Sequence, residues 1–175
     1  MMKNRRISGS LLILLAVLML IIVMPYFLKL TTVNGDSMLP TLENGDRLLI
    51  DRFSYRIGKP QRFDVVMFSY HYKPNTYYIK RVIALPGETV RINAEGVIYV
   101  NGKALVEHYG NAPILDSGLA ANEMTLGEDE YFVLGDNRNS SQDSREPDVG
   151  NIKESEIVGR GWICLAPFVR FGVLK

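Results

Sequence analysis

Two patterns divide the chain. Residues 7–28 carry no charged side chain and are almost continuously apolar. As a helix those 22 residues would reach ~33 Å at ~1.5 Å per residue, enough for a bilayer core. No polar stripe marks one face, so the segment does not read as an amphipathic helix lying on a soluble core. Beyond Lys29 the apolar positions come in short runs rich in Val, Ile, Tyr and Phe. These are "RLLIDRF", "DVVMFSY", "TYYIKRVIAL", "ETVRI", "GVIYV", "KALVE", "EYFVLG" and "GWICLA". Their length and residue types predict strands. Asn101-Gly102 separates two of them, the residue pair favoured by a two-residue hairpin turn. Residues 107–128 lack periodicity and predict an irregular excursion. With no helical pattern between the runs, the expected fold is mainly β: one N-terminal transmembrane helix, then an extracytoplasmic β-rich domain.

The flanks of the apolar segment give it a direction. Lys3, Arg5 and Arg6 precede it and only Lys29 follows closely. The excess of positive charge places residues 1–6 in the cytoplasm, 7–28 in the membrane and 29–175 outside. A cleaved secretory signal would have an apolar core of ~7–15 residues and an Ala-x-Ala-like site. This segment is longer, and "PYFLKL" offers no such site, so the sequence predicts an uncleaved anchor.

Charge and composition exclude more than they suggest. The net charge is +1, and the basic cluster is confined to the N-terminus, which gives no footprint for nucleic acid. The single cysteine, Cys164, allows no internal disulfide and reads as a packed small hydrophobe. Residues 135–145, "GDNRNSSQDSR", are dense in donors and acceptors. Counted as a calcium loop from Asp136, the third position is Arg138 and the twelfth Pro147, so the EF-hand pattern fails. "NSS" also matches a short glycosylation acceptor pattern. No metal or cofactor is predicted.

Two side chains draw attention to chemistry. Ser37 sits in "NGDSMLPTL", just beyond the apolar segment, either as a turn serine or as a nucleophile near a membrane. In a strand, Tyr78, Lys80 and Val82 face one side and Ile79, Arg81 and Ile83 the other, so one of the adjacent cations is expected to be partly buried. Burial strips the proton from a lysine far more readily than from an arginine. Lys80 is therefore either a general base or a strand cation that reaches out to water. His71 in "SYHYKPN" and His108 in "VEHYGN" have turn-like surroundings and no signature of a serine activator.

Taken together and in order, these segments resemble the type I signal peptidases. "GDSMLPTL" resembles their serine motif. "YYIKRVIALPGE" resembles their lysine motif, with Lys80 43 residues after Ser37. "GDNRNSSQDSR" resembles their C-terminal motif, and "NGDRLLI" around Asp46 a smaller conserved patch. The resemblance covers most of residues 30–165 and the anchor. It implies a membrane-bound serine endopeptidase that removes signal peptides from secretory preproteins, with Ser37 as nucleophile and Lys80 as general base. The Ser37 N–H would help bind the oxyanion. Ser141 would hydrogen-bond the lysine, Asp143 and Arg145 would support the site, and Asp136 would add to that network. Gly35 stands where some members carry a hydroxyl donor, as in the Gram-positive branch, and leaves a second oxyanion donor unassigned. Asn139 departs from the aspartate of many members. The family prefers small residues at the first and third positions before the cut. Met38, Val66, Phe68, Ile79 and Val82 are the expected groove walls, with substrate added as a strand. The partners implied are preproteins and membrane lipid. Three other readings are a self-cleaving repressor of the related fold, a non-enzymatic anchored β module, and a Ser/His hydrolase using His71 or His108.

Overall fold

The structure is a computed structural model and describes residues 9–174. The expected cytoplasmic residues 1–6 and the first residues of the apolar segment lie outside that range. Helix α1 runs Gly9–Phe27, with Pro25 in its last turn and no charged residue. Leu28, expected as the last residue of the helical segment, instead begins strand β1 (Leu28–Thr32). Its backbone pairs with β2 (Arg47–Asp51), from Leu28 opposite Asp51 to Thr32 opposite Arg47. That ladder satisfies backbone groups that one more helical turn would leave to the helix alone. Among the fully described residues no helix is long and apolar enough to cross a membrane.

After a single helical turn, α2 (Ser54–Ile57), the chain is almost entirely β. In order come β3 (Val65–Ser69), β4 (Tyr77–Ala84), β5 (Thr89–Ile92), β6 (Ile98–Val100) and β7 (Lys103–Ala104). These are followed by β8 (Met124–Thr125), β9 (Glu130–Leu134), β10 (Ile152–Lys153), β11 (Ile157–Ala166) and β12 (Gly172–Val173). Every pairing is antiparallel. The larger sheet has the order β1-β2-β11-β3-β4-β9-β10, with β12 on β11; the smaller has the order β7-β6-β5-β8. Asn101 and Gly102 both take positive φ, +52° and +71°, between β6 and β7, as the mirror-image hairpin turn demands. Residues 105–117 hold no regular element.

Alternation along the strands sorts the apolar side chains into three buried clusters. Val33, Met38, Leu42, Leu48, Ile50, Val65, Met67 and Cys164 pack inside the curl of β1, β2, β3 and β11. Val66, Phe68, Val82, Tyr131, Val133, Val149 and Ile152 pack on the opposite face of β3 and β4. A third cluster, including Ile83, Phe132 and Leu134, ties the two sheets together. At ~1.5–3 kcal/mol for each fully buried aliphatic or aromatic side chain, these clusters hold the strands rigidly enough to aim the polar groups between them. Cys164 is buried and unpaired, as a packed hydrophobe should be.

Candidate active site

Ser37 lies in the turn between β1 and β2, and Lys80 in the middle of β4. The two meet: Lys80 Nζ lies 2.7 Å from Ser37 Oγ. Lys80 is only 3 % exposed. Burial lowers its pKa from 10.5 to about 8, against an opposing pull from the carboxylates of Asp143 and Asp136. That pull is weak for a structural reason. Asp136 is fully buried and paired bidentately with Arg81, at 2.9 Å to Nε and 2.7 Å to Nη2. Asp143 accepts from Arg145 Nε at 2.8 Å and Nη2 at 2.9 Å. Each carboxylate already has its own guanidinium, so a protonated Lys80 is the surplus cation of the cluster. At pH 7.4 a group with a pKa near 8 is neutral in about a fifth of molecules, against roughly one in a thousand for free lysine.

The loop at residues 135–145 binds the serine turn to the lysine strand. Asp136 Oδ2 also accepts from Thr41 Oγ1 at 2.6 Å, four residues past Ser37. One carboxylate thus fixes both the turn that carries the serine and Arg81, the neighbour of the lysine. Asn137 donates its N–H to the Ser37 carbonyl at 3.0 Å and its Nδ2 to the Asp36 carbonyl at 3.1 Å. Gly135 packs so closely that a Cβ there would overlap Ser141 and the Ser37 carbonyl oxygen. Its own N–H donates to Asp143 Oδ2 at 3.0 Å. Arg145 extends the brace to the Asp116 carbonyl at 3.0 Å and the Arg138 carbonyl at 2.5 Å. Asp46 binds Arg170 and accepts from the Glu43 N–H at 2.9 Å, holding the far side of the same turn.

The Ser37–Lys80 pair opens onto a cleft of about 510 Å³. Residues 31–34 form one wall and residues 75–80 the other, with Met38, Met67 and Gln142 completing the lining. Chemically, this arrangement can pass a proton from a serine hydroxyl to a neutral lysine while an extended chain lies between the walls.

A family model described as signal peptidase, peptidase S26, matches residues 6–166. The chain belongs to the S26 signal peptidase family. It is 36% identical to "Probable signal peptidase I-2" of Synechocystis over 164 residues, covering 91% of this chain and 72% of that protein. It is 39% identical to "Signal peptidase I" of Bacillus caldolyticus over 150 residues, covering 79% and 80%. A crystal structure of a signal peptidase I from Enterococcus faecalis V583 is 36% identical to it, covering 59% of this chain and 97% of that one, with a TM-score of 0.49.

Several sequence expectations change within this S26 framework. Of the five expected groove walls, Met38 and Ile79 line the cleft, but Val66, Phe68 and Val82 do not. Those three are at most 1 % exposed and are sealed in the core by Tyr131, Val133, Val149 and Ile152. They share the strand face of Lys80, as alternation requires, but there Val149 and Ile152, from the segment between β9 and β11, pack over them. Ser141 Oγ is buried beside Gly135 and has no hydrogen-bond partner, so its expected bond to Lys80 is not made in this structure. Gly35 donates its N–H to Asn44 Oδ1 at 2.9 Å and brings no side-chain donor. The side chain of Asn139 is engaged at both ends, donating to the Pro113 carbonyl and accepting from the Leu115 N–H, each at 2.9 Å. His71 stands 3.8 Å from the Glu156 carboxylate and His108 is exposed; neither lines the cleft. Sequence reasoning missed Met67, Tyr78, Gln142 and residues 31–34 of the lining. It also missed Arg81 and Thr41 as partners of Asp136. Alternation had already turned Arg81 away from Lys80, which was the available hint.

Proposed function

We propose that the chain is a membrane-anchored serine endopeptidase that removes signal peptides from secretory preproteins. Ser37 is the nucleophile and Lys80 the general base. The observation that carries this reading is the 2.7 Å approach of Lys80 Nζ to Ser37 Oγ at a cleft, with the lysine pKa drawn down to about 8. Neutral Lys80 takes the Ser37 proton as Oγ attacks the scissile carbonyl. The Ser37 N–H stabilises the oxyanion. The ammonium then protonates the leaving amine and leaves an acyl-enzyme, which a water activated by Lys80 hydrolyses. Asp136, with Arg81 and Thr41, keeps nucleophile and base in register. Asp143 and Arg145 hold the loop beneath them. Substrate lies as an extended strand between residues 31–34 and 75–80, with Met38, Met67 and Ile79 under its side chains.

The membrane enters this reading through two features. Helix α1 has no charged residue, and its 19 residues would extend ~28 Å. Together with the uncharged residues before it and the cations at Lys3, Arg5 and Arg6, this supports a single span with the peptidase domain outside the cell. The second feature is a row of aliphatic side chains on the outer face of the sheet. Leu30 pairs with Leu49, Leu49 with Ile163 and Ile163 with Val173, across four strands. Leu30 and Val173 are 54 % and 61 % exposed, and Phe168 and Val169 beside them 87 % and 89 %. Such a face, starting three residues after α1 ends, supports a domain resting against lipid, where its precursors are held.

The test is direct. Full-length protein in detergent is given a preprotein with an Ala-x-Ala site, and the product ends are mapped. Cleavage after the second alanine, abolished by Ser37→Ala, is expected; full turnover by that variant would contradict the assignment.

A further inference from the structure

The two walls of the cleft are not neighbours in the sheet. β2, β11 and β3 lie between β1 and β4, so no strand ladder joins them directly. At the end remote from Ser37 one side-chain contact bridges the gap: Lys29 Nζ sits 3.9 Å from the centre of the Tyr77 ring. The position of that lysine is unusual. Lys29 is opposite Ile50, which is fully buried, so it projects from the inner face of β1 along with Thr31 and Val33. On β4, Tyr77 and Ile79 share a face, and Ile79 pairs with the buried Met67. Both partners therefore point into the curl of the sheet that forms the cleft. An ammonium placed there needs a partner, and the face of a tyrosine ring is a suitable one.

Position along the walls gives this contact a consequence. Lys29 lies two residues past the end of α1, so the bridge closes the cleft at its anchor side. From Tyr77 to Lys80 is three residues of strand, ~10 Å at ~3.3 Å per residue. An extended peptide attacked at Ser37 can therefore lay about three residues on the acyl side before it reaches the bridge. Beyond that it must turn out over Lys29 and Tyr77.

We propose that the Lys29–Tyr77 pair is a clasp that sets how close to a substrate's apolar segment the cut can fall. This rests on the peptidase reading and adds a length-measuring element to it. A substrate with a spacer of three residues forces bulky apolar side chains onto the clasp and must displace the ammonium from the ring. A spacer of six residues passes over it. The clasp therefore discriminates by spacer length, separately from the residues beside the scissile bond.

Two otherwise identical precursors whose apolar segments end three or six residues before the cut that follows Ala-x-Ala test this in the same detergent. The readout is the ratio of kcat/KM for the short to the long spacer within each full-length enzyme. That ratio is insensitive to the amount of folded protein. Lys29→Gln and Tyr77→Ala are each expected to raise it, roughly two- to fivefold, the range of an exposed to partly desolvated cation–π contact. Lys29→Arg and Tyr77→Phe retain cation and ring and are expected to keep the wild-type ratio. Wild-type ratios in both Lys29→Gln and Tyr77→Ala would overturn the clasp while leaving the peptidase reading intact. A change in Lys29→Gln alone would also overturn it, assigning the lysine to the lipid surface instead. Failure of the wild type to cut either precursor would overturn the peptidase reading, and the clasp with it.

Discussion

Replacing Lys80 with methionine should make the protein more stable and inactive. Methionine keeps the unbranched length of the side chain and removes the ionisable group. The folded-state pKa of about 8 lies below the 10.5 of the exposed side chain, so the unfolded chain binds more protons between those values. Stability therefore rises with pH across that window, and the cost of burying the ammonium is felt in full below pH 8. From the two pKa values, that cost is ~3 kcal/mol at pH 7 and ~2 kcal/mol at pH 9. Lys80 is 3 % exposed, so solvent screening reduces these figures little. Losing the Ser37 hydrogen bond returns about 1 kcal/mol at either pH. Lys80→Met should thus be more stable than wild type by ~2 kcal/mol at pH 7 and by ~1 kcal/mol at pH 9. Urea unfolding of the full chain in detergent, run in parallel at both pH values, reads the difference, and other titrating groups cancel between the two proteins. A variant less stable than wild type at pH 7, or a difference that does not change with pH, would refute the picture of a lysine held partly neutral by burial.

Other outcomes follow from the same geometry. Gly135→Ala should reduce turnover by roughly a hundredfold or more while the fold persists, because the new Cβ overlaps the Ser37 carbonyl and displaces the nucleophile; kcat and far-UV circular dichroism check it. Asp136→Asn should destabilise the protein by ~3–5 kcal/mol, since it leaves the Arg81 guanidinium buried without its counter-charge; the urea midpoint reports it. Glutamate at both Phe168 and Val169 should slow cleavage of a vesicle-embedded precursor several-fold, yet leave a free peptide cleaved at close to the wild-type rate.

The strands legible in the sequence are those with alternating or continuous apolar positions, such as β3, β4 and β9, and the short β6 and β7 on either side of the Asn101-Gly102 turn. β8, β10 and β12 have two residues each, too few to show a period. β1 was hidden because Leu28 and Leu30 continue the apolar character of the helix before them. The meeting of Ser37 and Lys80 could be read only through the family resemblance, since alternation states that Lys80 and Arg81 diverge but not which one is covered. The groove walls were right at two of five positions for a related reason. Val66, Phe68 and Val82 are on the face of Lys80, but whether that face is open depends on residues 149 and 152, far along the chain. The partners of Asp136 were illegible because Arg81, Thr41 and Asp136 come from three separate segments and meet only once β4 pairs with β9.

In the proposed mechanism a lysine, deprotonated by burial, activates the serine. The pH dependence of kcat/KM for cleavage at an Ala-x-Ala site tests it most directly, in the wild type and in a variant with His71 and His108 both replaced by alanine. Activity should rise as one group loses its proton, with an apparent pKa near 8, to which burial lowers Lys80, and the rise should be the same in both proteins. A rising limb at histidine-like pH that disappears in the double variant would contradict the Ser37–Lys80 dyad.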